Sequence, residues 1–428
     1  MKKQKSGCSM EIDLLDAVLI PMYFILLFLA IFWLLVLFSG EDGKQKRTTL
    51  RRYPFFSVLV PAYNEQDGIV ETLRSLIQLD YPRQKLEIVV INDGSTDRTP
   101  HLVEEFIKEH LEHNLVLLNQ KNKGKGKALN TGLARARGEF FACLDADSAV
   151  RSDALKVMLP LFEKDVAAVC PLLKVKSPNS IILKVQWYEY VINMFYKWLN
   201  AKVNSIHVTP GPFSVYRTKV IRALGGYDEH TITEDLEIAI RLQKHNYRIL
   251  QTFDTTVETD SPNTWKELFW QRVRWYKGSL DNTIRYKSLI FNKKYGDFGM
   301  LRMPTILTAG VFALVLTGAV FHALGKQALI FFFMLKDINF DLVTLLKNFS
   351  FYFNPLNLPF FKLAIAFTLL AISIFVMIYS FRVIGEKISH YGRTWVSLFT
   401  YLAVYSLFLT TVWLYISYLF VKKKRDIW

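Results

Sequence analysis

The chain has 428 residues, of which 51% are hydrophobic and 14% aromatic, and its formal net charge is +15. Apolar residues crowd its ends while charge fills its middle, which excludes one ordinary soluble domain and points to a soluble region set between membrane segments. Much of the basic excess flanks apolar runs, where attraction to anionic lipid head groups explains it; a nucleic-acid binder would interleave basic and aromatic residues along a groove.

The first element, Ala17 to Phe38, is an uncharged run of the length that crosses a bilayer core. It ends in Leu37-Phe38-Ser39-Gly40-Glu41 rather than a small-residue cleavage site, so it reads as an anchor. Lys44, Lys46, Arg47, Arg51 and Arg52 follow it, against Lys2, Lys3 and Lys5 before it, a balance that favours a cytoplasmic middle region. Further spans are predicted at Met303 to Leu324, Phe361 to Phe381 and Val396 to Val421, each long and almost free of charge. Four spans from an outside N-terminus would leave Lys422-Lys423-Lys424-Arg425 outside, against the same rule. Either Ala328 to Phe361 holds a re-entrant or extra crossing, or one span lies in the interface. The chain thus divides into an anchor and linker at 1–50, a soluble region at 51–295 and a helical membrane bundle at 296–428. Cys8, Cys143 and Cys170 have neither metal-ligand spacing nor a disulfide framework, which suits a reducing compartment.

Within the soluble region, Phe55 to Val60, Leu86 to Ile91, Leu115 to Leu118 and Phe140 to Leu144 read as strands, and Gln66 to Leu79, Arg98 to Leu111 and Lys127 to Arg137 as helices. This is the alternation of an α/β fold with a parallel sheet. Polar segments fall at the carboxyl ends of the strands, the edge where such sheets bind ligands. They are Pro61-Ala62-Tyr63-Asn64-Glu65, Asn92-Asp93-Gly94-Ser95-Thr96-Asp97 and Asp145-Ala146-Asp147.

Asp145 and Asp147 set two carboxylates where a buried strand emerges. Oxygen-only ligands suit Mg2+ or Mn2+, which share their shell with substrate phosphates; a surface turn is the competing reading. Asp93 can accept hydrogen bonds from a nucleotide base or ribose, or can belong to a turn that starts the next helix. Lys121-Asn122-Lys123-Gly124-Lys125-Gly126-Lys127 precedes a helix, so its amides and lysines can face phosphate, although it lacks the spacing of a P-loop and also reads as a solvated basic loop.

Ile181 to Leu199, with Trp187, Tyr188, Tyr190, Phe195, Tyr196 and Trp198 among Lys184, Glu189 and Lys197, suits a helix on a membrane surface or one buried in the core. Thr209-Pro210-Gly211-Pro212-Phe213-Ser214 is a turn whose Gly211 lets a ligand approach the backbone, or a plain structural turn. Thr233-Glu234-Asp235 either starts the helix Leu236 to Lys244 or presents Asp235 as a base to a hydroxyl. On a second amphipathic helix, Thr264 to Tyr286, Gln271 and Trp275 lie four apart and Arg274 three from Gln271. An indole stacks on a sugar ring and a guanidinium meets a diphosphate bidentately; snorkelling arginines on an interfacial helix are the rival.

Taken together and in this order, these elements resemble the inverting, membrane-embedded glycosyltransferases of family 2, the group of cellulose, chitin, hyaluronan and poly-N-acetylglucosamine synthases, over about Phe56 to Gly278. The resemblance implies a GT-A type nucleotide-sugar domain on interfacial helices under an α-helical transmembrane bundle. It implies that Pro61, Tyr63, Glu65 and Asp93 hold the uridine and that Lys125, or Lys127 in its stead, approaches the phosphates. Asp145 and Asp147 would form the metal and diphosphate motif, with Asp147 as the direct ligand of Mg2+ or Mn2+. Asp235 would be the catalytic base beside Glu234. Gln271, Trp275, Glu234 and Gly211 would lie on the acceptor side, and Arg274 at the pyrophosphate.

The implied activity is cytoplasmic transfer from a UDP-sugar, UDP-N-acetylglucosamine first among them, to a β-linked polysaccharide exported through the cell membrane. Implied partners are the growing glycan or a lipid-linked acceptor, membrane lipids and an accessory membrane subunit, with no nucleic acid. The Thr-Pro-Gly-Pro-Phe-Ser turn departs from the acceptor-side sequence of any one polymer class, which leaves the donor open. A transferase adding one sugar to a lipid carrier would use the same donor site. A transporter or receptor with a nucleotide-binding domain would place ionisable residues inside its spans, whereas these are almost purely apolar.

Overall fold

The computed structural model describes residues 14–39, 50–347 and 359–422. Lys2, Lys3, Lys5, Cys8, Lys44, Lys46, Arg47, Lys423, Lys424 and Arg425 lie outside the described residues, as does part of the segment Ala328 to Phe361. In chain order the elements are α1 (Leu14–Phe38), β1 (Phe56–Ala62), α2 (Ile69–Ile77), β2 (Leu86–Asn92), α3 (Thr99–Glu109), β3 (Asn114–Asn119), α4 (Lys125–Arg135), β4 (Phe140–Cys143), β5 (Ser148–Val150), α5 (Ala154–Met158) and β6 (Val166–Val175). Then come α6 (Ile181–Lys202), β7 (Val215–Arg217), α7 (Thr218–Ala223), α8 (Glu234–Lys244), β8 (Arg248–Thr259), α9 (Trp265–Arg285), α10 (Met303–Asp337), α11 (Leu342–Lys347), α12 (Phe360–Ile384), α13 (Thr394–Phe399) and α14 (Tyr405–Val421). The described residues form two compact units, the larger within residues 40–308 and 378–428 and the smaller within residues 1–39 and 309–377.

In the larger unit an eight-stranded sheet has the order β3-β2-β1-β4-β7-β6-β8-β5. β3, β2, β1 and β4 run parallel. Successive side chains of β1 face opposite ways. Phe56, Val58 and Val60 pack with Ile69, Leu73 and Phe106 from α2 and α3, while Leu59 packs with Ala128, Leu129 and Leu133 from α4. Burial on both faces is why these strands read as unbroken apolar runs. The parallel half thus follows the sequence expectation closely.

The other half mixes directions. β7 inserts antiparallel between β4 and β6, and β6 pairs parallel with β8, which pairs antiparallel with β5. α6 is buried along much of its length, with Trp187, Tyr188, Glu189 and Lys197 all enclosed. One side packs on β6 and β8, the other on α13 and the π-turn Thr400–Val404. α9, capped by the Thr264 hydroxyl accepting from the Glu267 amide, packs along α14 through Val273, Val412 and Ile416. Tyr276 and Trp413 stack between them at 5.2 Å.

Among the described residues, four helices are long and apolar enough to cross a membrane: Asp16–Phe38, Phe298–Asp337, Phe360–Ile384 and Thr394–Val421. The second outruns its predicted end at Leu324, because the apolar run Ala328 to Leu335 continues the helix to Asp337. In the smaller unit Lys362 pairs with Asp16 at 2.5 Å, Phe24 meets Phe361 and Phe38 meets Phe375. α1 and α12 therefore run the same way.

Candidate active site

Asp145 follows β4 where that strand leaves the sheet, and the turn Thr209 to Ser214 is drawn to the same edge by the Phe213 amide donating to the Cys143 carbonyl at 2.6 Å. Gly211 lies so close that a Cβ on it would stand 3.0 Å from both Asp145 Oδ2 and Lys125 Nζ. Lys125 sits in the first turn of α4, after Gly124 with its φ of +87°. Its ammonium is 2.6 Å from Asp145 Oδ1 and 3.2 Å from Glu234 Oε1. One cation therefore joins the strand-end acidic pair to the Thr-Glu-Asp segment. Burial alone would lower its pKa; Asp145, Glu234 and Asp235 reverse that and hold it charged.

Asp235 stands in the first turn of α8, its carbonyl accepting from the Thr209 amide at 3.2 Å and hydroxyl at 2.9 Å. Its carboxylate accepts from the Leu236 amide at 2.8 Å. Burial first, then the Glu234 and Asp145 charges, push its pKa up to about 7 against the pull of Lys125 and the Leu236 amide. A carboxyl poised there is matched to general-base work near neutral pH. Thr233 is fixed from α9: the Asn282 amide donates to Thr233 Oγ1 at 3.1 Å and to Thr231 Oγ1 at 3.0 Å.

Glu65, Asp145 and Asp147 form an acidic group at the strand ends. Burial, then Asp147 and Asp145, raise the Glu65 pKa to about 7. Asp147 is raised by burial and by Asp145, with the Ser148 hydroxyl donating to its Oδ1 at 2.8 Å. Among the described residues no three His, Cys, Asp or Glu side chains converge as a full metal cage. A hard cation at a diphosphate needs only one or two protein carboxylates, because substrate phosphates complete its shell. The mutual repulsion of these oxygen donors is what such a cation would relieve, so the residues fit a divalent metal.

The remaining predicted residues fall as follows. Pro61 lies in β1 and Tyr63 is 49% exposed beyond it. Asp93 is buried and holds the loop ahead of α4, accepting from Gln120 Nε2 at 2.7 Å, the Lys123 amide at 3.0 Å and the Gly124 amide at 2.8 Å. It does not cap α3, whose N-cap is Arg98. Lys127 pairs with Glu229 at 3.1 Å rather than with the acidic pair. Arg274 is exposed. Sequence reasoning passed over Arg272, which is fully buried with its guanidinium 4.2 Å over the Trp275 ring. The signal was its place two residues from Arg274, which turns it to the other side of the helix.

Residues 57–225 match the family model described as glycosyl transferase family 2. The chain is 34% identical over 242 residues to a poly-beta-1,6-N-acetyl-D-glucosamine synthase of Staphylococcus epidermidis, covering 56% of this chain and 58% of that one. It is 31% identical over 246 residues to a beta-monoglucosyldiacylglycerol synthase of Nostoc sp., covering 57% of this chain and 53% of that one. It thus spans little more than half the length of these curated relatives. Among solved structures, the mannosyltransferase PcManGT from Pyrobaculum calidifontis, in complex with GDP-Man and Mn2+, matches with a TM-score of 0.57 at 24% identity, over 74% of this chain and 91% of that one, a likeness of fold. Residues 57–225 of this chain form the family 2 glycosyltransferase domain, on a sheet of the GT-A kind.

Proposed function

We propose that the protein is a membrane-embedded inverting glycosyltransferase that takes a UDP-sugar, UDP-N-acetylglucosamine first, and extends a β-linked polysaccharide from the cytoplasmic side of the cell membrane. The observation that carries this reading is the Lys125 bridge from Asp145 to Glu234, which sets a carboxyl with a pKa of about 7, Asp235, beside the diphosphate motif.

In this mechanism an acceptor hydroxyl attacks the anomeric carbon from the face opposite the diphosphate. One carbon–oxygen bond forms as the bond to the diphosphate breaks, and the hydroxyl proton passes to Asp235. Inversion needs no covalent intermediate. Lys125 and Arg274 meet negative charge as it grows on the leaving group. Mg2+ or Mn2+, held by Asp147 and Asp145, would supply further neutralisation of that charge. Tyr63, Pro61 and Glu65 border the nucleoside, while Asp93 shapes the loop that carries Lys125. Gln271 and Trp275 receive the acceptor sugar, with Gly211 leaving room beside the ion pair.

A second reading, transfer of one sugar to a membrane lipid, is favoured by the Nostoc relative, whose name gives a glycolipid product. The test is product size after incubating the protein in lipid with Mg2+ or Mn2+ and labelled UDP-sugars. A ladder or high-mass polymer supports the lead reading and names its donor. A single labelled lipid supports the second. Turnover only with a nucleotide other than uridine would overturn the donor assignment.

A further inference from the structure

Arg272 is the largest side chain that is fully buried among the described residues. Its guanidinium donates from Nη2 to Glu189 Oε2, from Nε to the Tyr405 hydroxyl at 2.9 Å and from Nη1 to Gln271 Oε1 at 2.5 Å. Tyr405 in turn donates to Glu189 Oε2 at 2.8 Å. Three helices thus meet on one charge: α6 brings Glu189, α9 brings Arg272 and α14 brings Tyr405. Val185, Leu268 and Tyr405 form the apolar cluster beside it.

A buried ion pair is a poor source of stability, since apolar residues of equal volume hold helices together as well or better. What this network supplies is orientation. The Arg272 guanidinium covers one face of the Trp275 indole at 4.2 Å, a cation–π contact that strengthens when desolvated. Only the opposite face is left for a sugar ring. The same guanidinium occupies Gln271 Oε1, which fixes the amide and keeps its NH2 group as the donor end.

We propose that Arg272, clamped by Glu189 and Tyr405, is a positioning residue that sets Gln271 and Trp275 as a one-sided acceptor platform. Through Tyr405, that platform is tied to the last membrane-length helix, Thr394–Val421. The inference rests on the reading of Gln271 and Trp275 as acceptor contacts.

The test uses the full chain in lipid, UDP-N-acetylglucosamine as donor and a soluble β-linked N-acetylglucosamine oligomer as acceptor probe. Tyr405→Phe, Arg272→Lys and Trp275→Ala are compared for acceptor KM, transfer kcat and donor hydrolysis. Tyr405→Phe removes one hydroxyl and almost no volume, so it tests geometry in a protein that folds. It raises acceptor KM on the order of tenfold, more than it changes donor hydrolysis, because small misplacements of a positioned group carry large kinetic penalties. Arg272→Lys keeps the charge and still fails, since an ammonium has no planar fork to serve a carboxylate, a phenol, an amide and an indole together. Unchanged acceptor KM in both variants, with Trp275→Ala defective, overturns the positioning role alone. A Trp275→Ala protein with normal acceptor KM overturns the platform itself. Equal loss of hydrolysis and transfer in Tyr405→Phe makes the network merely structural and also overturns the proposal.

Discussion

Asn282 donates its side-chain amide to Thr233 Oγ1 at 3.1 Å, so the helix that carries Gln271 and Trp275 also holds the segment ahead of Asp235. Gly278, one turn before Asn282, makes this approach possible. A Cβ there would stand 2.5 Å from both Thr233 Cγ2 and Oγ1. Gly278→Ala therefore pushes Thr233 away and moves Asp235 with it. A displacement of this kind lowers kcat on the order of a hundredfold. Thr233→Ser, which removes Cγ2, recovers part of the loss when combined with Gly278→Ala. Steady-state kinetics of the two single variants and the double variant check this; additive losses would sink it.

Asp235 predicts the pH profile. A base must be ionised, and a pKa of about 7 makes the active fraction rise as pH climbs through that value. The transfer rate should fall about tenfold for each pH unit below it. Asp235→Asn abolishes transfer at every pH while UDP binding, read by calorimetry, persists. Stability moves the other way. A carboxyl raised from 3.8 to about 7 in the folded state loses stability as pH rises between those values, because the unfolded chain ionises first. Asp235→Asn should therefore melt higher than the wild-type protein at pH 8, with the gap closing as pH falls toward 4.

How much of this was legible in the sequence follows from the range of the interactions. β1 to β4 were readable because strands buried on both faces announce themselves as apolar runs. The strand-end carboxylates were readable because ligand-binding edges follow from such a sheet. β7 was not, being three residues long, and Val166–Val175 was hidden because nothing local pairs it with Arg248–Thr259. The same limit applies to the site. Asp145, Lys125 and Glu234 could each be proposed singly, but their joining by one ammonium depends on the 209–214 turn returning to β4. Glu189 read as one charge on an aromatic helix, because its partners Arg272 and Tyr405 lie far along the chain.

The acidic group predicts a metal requirement. Chelation with EDTA should remove transfer, and Mn2+ or Mg2+ should restore it, since oxygen ligands at a diphosphate suit either ion. Asp147→Asn leaves one carboxylate of the pair and should raise the Mn2+ concentration for half-maximal rate by at least about tenfold. Manganese titration of activity reads this directly. Equal manganese dependence in the variant and the wild-type protein would remove Asp147 from the ligand set.

Gly211 gives the sharpest test of the ion pair at the centre of the site. Its missing side chain leaves a gap that a methyl group would fill at 3.0 Å from Asp145 Oδ2 and from Lys125 Nζ. Both neighbours are the ends of side chains, so Gly211→Ala shifts them apart and does not break the backbone. The expected result is weaker UDP binding with near-normal thermal stability. Lys125→Met removes the cation outright and should weaken UDP binding further, leaving Asp145 and Glu234 to repel the diphosphate. If both changes act through the same pair, their effects on UDP affinity are not additive, since residues in contact couple. Calorimetric UDP titration of the two single variants and the double variant measures the coupling. Additive losses would mean that Gly211 acts apart from the Lys125–Asp145 pair, and unchanged UDP affinity in Gly211→Ala would return it to the role of a turn residue.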